Sequence, residues 1–403
     1  AYLFFTERQP GRRAFEDRQT QVRDYYNYAV QRTFTRLFQR VRSHRQQEHQ
    51  PPTQLAGWTL QYLRGDFAPR AVERLPEELL AAASLRFTGV RNTYRRDGFG
   101  AEMVAVLAPE QAGQVGQGAA AGPGATMPFE QLLYPNFTAL LRFPGDTLAE
   151  VLATRQVQLS LYDPYRYTQV PLAGETVPLA ANFTAGYGLW LARSGFAVQS
   201  LRTLFGLSDG LVRPRIHLMQ PYDPARRTIV MLHGLASSPE AWINVANEVL
   251  GDETLRRNYQ IWQVYYPTNA PLALNLHAIR EALQQTLHEL DPGGQAQASR
   301  DMVLVGHSMG GVLSRLLVSS SGNRLWAATP AVSGRAGAAR DVRQRLAPYL
   351  TFEPLAQVST AIFIAAPHRG TPFAGNRLVR RVANLITLPL AMLEQIGELG
   401  GLF

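Results

Sequence analysis

Gly306-His307-Ser308-Met309-Gly310 places a serine hydroxyl midway between two glycines. An apolar run, 302–305, leads into it, and a helical pattern over 310–319 leads out. A serine on so tight a strand-to-helix turn holds strained dihedrals, and its near neighbours must be small. Gly306 and Gly310 are the small residues that let the two backbones approach. Ser308 then stands exposed at the carboxyl end of a sheet. The Met309 N–H, at the start of the following helix, points toward a developing oxyanion. The chemistry implied is attack of a serine oxygen on an acyl carbonyl. The bland alternative is an ordinary glycine-rich turn.

Two further stretches bear on that chemistry. Leu232-His233-Gly234-Leu235 closes an earlier apolar run, 228–232, and Gly234 allows a sharp turn there. His233 has two readings, a catalytic base or a hydrogen-bonding brace for its own loop. Ser237, Ser238 and Pro239 have the makings of a helix N-cap and first turn. Ala366-Pro367-His368-Arg369-Gly370-Thr371-Pro372 follows another apolar run, 360–365, and His368 is the one histidine after Ser308. It is read either as the base or as a pocket-rim residue. Asp341, Glu353, Glu394 and Glu398 are the acids on that side, and Asp341 would orient His368 in the order Ser-Asp-His.

The elements that must position these residues occupy 216–403. Apolar runs at 216–219, 228–232, 261–266, 302–305 and 360–365 alternate with helical patterns at 239–250, 275–290 and 310–319. Continuous apolar strands alternating with helices predict an α/β fold, a mostly parallel, doubly wound sheet covered on both faces. An insertion at 322–354 holds Trp326, Val332, Leu346, Tyr349, Leu350 and Phe352 among five arginines; it reads equally as a lid and as a packing element.

Upstream, 1–52 is a basic amphipathic helical segment. Val22, Tyr26, Val30, Phe34, Leu37, Phe38 and Val41 share a face, with Arg23, Arg32, Arg36, Arg40 and Arg42 between them. It docks either on its own protein or on an anionic membrane surface or a partner. Residues 53–215 predict an α+β accessory domain. Its expected strands are 85–90, 103–107, 138–143 and 156–162, its expected helices 79–83 and 179–192, and 111–127 is a loop. Asn136-Phe-Thr and Asn182-Phe-Thr match the glycosylation sequon, a pattern common by chance.

Together the motifs around His233, Ser308 and His368 resemble the lipase and esterase branch of the α/β-hydrolase superfamily. The closest likeness is to large bacterial lipase-like proteins, often lipoproteins, with an N-terminal accessory region. The match runs over 230–373. The resemblance implies that the Leu235 N–H is the second oxyanion donor beside that of Met309. It makes His233 a brace rather than a base, since the catalytic histidine of this fold follows the nucleophile. It also places the family's acid and base after later strands. Only the family's sixth strand, 360–365, is reached before Phe403, so the hydrolase core is expected to be truncated, with acid and base beyond Phe403.

The chain has 403 residues, 46% of them hydrophobic, enough for more than one core. Its net charge is +9, and every basic residue besides histidine is arginine. That charge favours anionic partners. No nucleic-acid-binding signature accompanies it, and no nucleic-acid partner is expected. Cysteine is absent, which excludes thiolate chemistry and disulfides. The expected partner is an ester or lipid substrate, with no metal and no organic cofactor. The resemblance implies a bacterial cell envelope location, in the periplasm or at a membrane. The competing reading is a non-catalytic envelope or assembly protein on a hydrolase scaffold.

Overall fold

A computed structural model describes residues 17–44, 53–63, 76–108, 128–130, 132–172, 175–195, 213–328 and 336–370. The chain divides into two compact units. The first comprises Ala1–Val115, Leu132–Arg193 and Asn244–Arg257; the second comprises Gly116–Gln131, Ser194–Ile243 and Asn258–Phe403.

In the first unit a six-stranded sheet runs β1 (Gln54–Leu55), β2 (Trp58–Leu63), β8 (Gln156–Tyr162), β7 (Asn136–Arg142), β5 (Ala101–Val106), β3 (Glu78–Ala81). Only the β2–β8 pairing is parallel. Two small ladders accompany it: β9 (Gln169–Leu172) with β10 (Glu175–Pro178), and β4 (Arg95–Arg96) with β11 (Ala181–Asn182). The long helix α1 (Asp17–His44) covers one sheet face, where Val30, Phe34 and Leu37 pack with Met103, Phe137, Leu141 and Leu159. Of its two readings, the protein's own sheet takes the apolar face. Helices α2 (Leu148–Ala153), α3 (Ala185–Ser194), α4 (Ile243–Gly251) and α5 (Glu253–Asn258) are the further helices of this region among the described residues. α2 starts with a full capping box of Thr147 and Glu150, so local sequence alone fixes its first turn.

Several expectations for 53–215 are corrected. The Leu-Leu-Ala-Ala-Ala stretch expected as helix over 79–83 is strand β3 as far as Ala81, followed by a single 3-10 turn at Ala82–Ser84. Its helix propensity is a weak preference, and the ladder to β5 outweighs it. The stretch 85–90, expected as strand, is irregular. Leu85 and Phe87 serve packing instead, against Val104, Val106 and Leu189. The helix expected over 179–192 begins only at Ala185, after β11. The loop at 111–127 lies outside the described residues. The sequon asparagines are both buried. Asn136 Oδ1 accepts the Gly186 N–H, and Asn182 Oδ1 accepts those of Thr184 and Ala185. Both side chains are engaged inside the fold, Asn136 from strand β7 and Asn182 just before α3, and cannot carry a glycan without local unfolding.

The second unit holds a six-stranded sheet in the order β16 (Val358–Ile364), β15 (Met302–His307), β13 (Arg227–Leu232), β14 (Tyr259–Tyr265), β12 (Arg215–Leu218), β6 (Phe129–Glu130). Strands β13 to β16 are parallel, while β12 runs antiparallel to β14. The α/β expectation of a mostly parallel sheet with crossover helices is met. Helix α6 (Leu272–Leu290) connects β14 to β15 and buries Leu276, Ile279, Leu283 and Leu287 on one stripe. Helix α7 (Met309–Leu317) follows β15, then α8 (Arg324–Ala328) and α9 (Ala336–Leu350) lead to β16. Phe352 and Leu355, after α9, join the main core with Leu317 and Ile279. This part of the 322–354 insertion is therefore packed.

Candidate active site

The geometry at Ser308 follows from crowding beneath it. Ser308 has φ 52° and ψ −120°, a conformation L-residues avoid and which costs of order 1–3 kcal/mol. It persists because the surroundings fix it. Its N–H donates to the Ile364 carbonyl (2.9 Å), and its carbonyl accepts the Gly311 N–H (2.9 Å). A methyl group on Gly306 would lie 2.4 Å from the Gly310 oxygen and from Ser314 Oγ. One on Gly310 would lie 2.3 Å from the carbonyl oxygens of Leu232 and His233. Only hydrogen fits at either position, so the strand, the turn and the helix lock together with Ser308 at the tip. Its hydroxyl has no hydrogen-bond partner among the described residues.

The loop after β13 meets that tip. Leu232 pairs with Gly306 across parallel strands, so both loops leave the sheet at the same level and at its carboxyl end. A methyl on Gly234 would stand 3.1 Å from Ser308 Cβ and 3.1 Å from His307 Nδ1, so the loop backbone packs directly on the serine turn. Leu235 is exposed at the loop's crest. Neither its N–H nor that of Met309 has an acceptor among the described residues. Behind the loop, Trp242 is buried, and its ring stands edge-on to His307 at 6.5 Å. Ser238 holds the N-cap position of the 3-10 turn Pro239–Trp242 with no capping bond from its side chain.

His233 lies fully buried under this loop. Its Nδ1–H donates to the Gly234 carbonyl (3.0 Å), and its Nε2 faces the Tyr266 N–H at 3.4 Å. The Tyr266 ring stacks on it at 4.3 Å, and the Tyr266 hydroxyl donates to the His233 carbonyl. Burial pulls the imidazole down to about 4, against a smaller upward pull from the Gly234 carbonyl. Both ring nitrogens are engaged and the ring stays neutral, the arrangement of a brace. Tyr266 is the residue that sequence reasoning missed. Its only signal was an aromatic at the end of the strand neighbouring His233.

Among the described residues no histidine is hydrogen-bonded to the Ser308 hydroxyl. His368 sits on the turn after β16, exposed, with its ring edge-on to Phe363 at 5.0 Å and no hydrogen bond to Ser308. Glu353 accepts a hydrogen bond from the Ser320 hydroxyl (2.9 Å). Asp341 belongs to α9, but its side chain is outside the described residues, as are Glu394, Glu398, Thr371 and Pro372.

The strand order, the strained serine and the glycine-locked turn invite comparison with known folds. Residues 229–396 match the model of the alpha/beta hydrolase family. Most of the matched stretch lies in the second unit, whose parallel strands and crossover helices form an α/β fold. Among solved structures, a lipase of Bacillus licheniformis in its propeptide form is 19% identical, with 38% of this chain and 25% of that one covered, at a TM-score of 0.22. An esterase of the planctomycete Thermogutta terrifontis is 15% identical over 44% of this chain and 57% of that one, at 0.26. Esterase B of Lactobacillus rhamnosis is 10% identical over 52% and 68%, at 0.28. The chain spans less than two thirds of the first of these structures, 25% and 57% of their lengths. No curated protein matches the sequence.

Proposed function

We propose that this protein is a serine hydrolase of carboxylic esters, with lipid acyl esters the favoured class. What carries the reading is one juxtaposition: a strained, solvent-reachable Ser308 beside two N–H groups, Leu235 and Met309, with no acceptor of their own. Ser308 Oγ attacks the ester carbonyl and gives its proton to a base. The carbonyl oxygen takes on negative charge, which the two N–H groups hold. The C–O bond to the alcohol breaks, and the alcohol leaves with the proton. Water then attacks the acyl-serine, releasing the acid and restoring the hydroxyl. His368, on the neighbouring strand's turn, is the described histidine that follows Ser308, and serving as base requires its ring to swing toward Oγ. Resemblance alone supports a place in the bacterial cell envelope, and cell fractionation tests it.

The test is hydrolysis of p-nitrophenyl esters of short and long acyl chains by the protein and by Ser308→Ala. Turnover by the parent, reduced at least about a thousandfold in the variant, supports the reading. No turnover by the parent, or an unchanged rate in the variant, favours a non-catalytic scaffold.

A further inference from the structure

The outward face of α1 is as patterned as its buried one. Gln21, Tyr25, Tyr28, Arg32, Arg36, Gln39 and Arg40 recur at three- and four-residue spacing and are all exposed. Val30, Phe34 and Leu37 point the opposite way into the core. Tyr25 and Tyr28 are 64% and 61% exposed, so these rings are not spent on packing. Arg32 and Arg36 have no ion-pair partner among the described residues. The helix contains only two acids, Asp17 and Asp24, both before the stripe's arginines. The result is a straight ridge about 28 Å long, at 1.5 Å per residue, with two tyrosines at one end and arginines along the rest.

We propose that this ridge docks on an anionic lipid surface. Tyrosine rings suit the headgroup level, being apolar in body and polar at the tip. Arginines a helical turn apart reach the phosphates, and their charge does not titrate away. The face involved is the reverse of the apolar one that amphipathic periodicity singles out. That apolar face is occupied by the protein's own sheet, so the helix lies on the membrane without inserting. The inference does not rest on the esterase reading, since docking needs no catalysis.

The test is cosedimentation of the full chain with vesicles of phosphatidylcholine alone and of phosphatidylcholine mixed with phosphatidylglycerol. The variants are Arg32→Gln/Arg36→Gln and Tyr25→Ser/Tyr28→Ser, each checked for an unchanged melting temperature. All four positions are exposed, so folding is spared. The expected result is binding to anionic vesicles only, weakened by salt. The arginine pair should cost roughly twentyfold in affinity and the tyrosine pair a smaller factor. Equal binding to neutral vesicles, or anionic binding unchanged in both variants, overturns the proposal. Failure to bind the anionic vesicles also overturns it, and tight, tyrosine-dependent binding to a single-stranded oligonucleotide would then assign the ridge to nucleic acid instead.

Discussion

Replacing Gly310 by alanine would place a methyl carbon 2.3 Å from two carbonyl oxygens, those of Leu232 and His233. Ordinary contact begins near 3.4 Å, so a gap of about 1 Å must open. The Leu232 oxygen cannot swing aside, because Leu232 is laddered to both Gly306 and Val264. The N-terminus of α7 must instead move away from the loop that carries Leu235. Overpacking of this kind costs about 1–3 kcal/mol of stability. If Ser308 and the Leu235 and Met309 N–H groups act as proposed, a displacement of that size between them costs on the order of a hundredfold in rate. The assay is kcat/KM on p-nitrophenyl butyrate beside a urea melt, at a temperature where the variant remains folded. Gly293→Ala is the control, since its methyl would meet nothing nearer than Gln295 Cγ at 3.8 Å. A Gly310→Ala protein with parental kcat/KM would refute the locking argument. So would an activity loss fully accounted for by the unfolded fraction.

Two acid-range experiments probe the supports of the same unit. His233 is held near 4 in the fold against 6.5 when free, so the unfolded chain takes up the proton first. Stability should therefore fall as pH drops from about 6.5 to about 4, by on the order of 3 kcal/mol, and His233→Asn should lose that slope in melting temperature against pH. Glu130 behaves as a depressed carboxylate. The His217 side chain and then Arg215 hold it down to about 2 from 4.5, so its contribution is complete above 4.5 and vanishes as pH falls toward 2. Glu130→Gln should flatten only that lower limb, and an unchanged limb would show that the cluster adds nothing to stability.

Much of the second unit was legible in its sequence, for a physical reason. Strands β13 and β15 are covered on both faces, so they read as unbroken apolar runs, and their ends fall within two residues of the periodicity. The serine turn was legible because its geometry tolerates only glycine at 306 and 310. The first unit was harder to read. Its segment 78–81 has residues that favour helix, and only the long-range ladder to β5 makes it strand. Asn136 and Asn182 carry the same local pattern as surface sequons, and burial alone decides their role. Helix α4 was visible from its periodicity, but nothing in that pattern says that residues 244–257 cluster with the first unit. Bonds such as Thr184 Oγ1 to Asn247 Oδ1 and Asn247 Nδ2 to the Asn92 carbonyl join positions far apart in the chain, beyond the reach of any local signal. The base that a serine hydrolase would need stayed open for a similar reason, since the position of an imidazole ring is set by its rotamer and neighbours and not by its place in the sequence.

Whether Ser308 is a nucleophile is decided by covalent capture. The native protein is treated with a fluorophosphonate, digested and mapped by mass spectrometry. A nucleophilic Ser308 yields a single phosphonylated peptide modified at Ser308, with no adduct in Ser308→Ala. A folded protein that takes up no probe, or one that still labels fully in Ser308→Ala, would contradict that role.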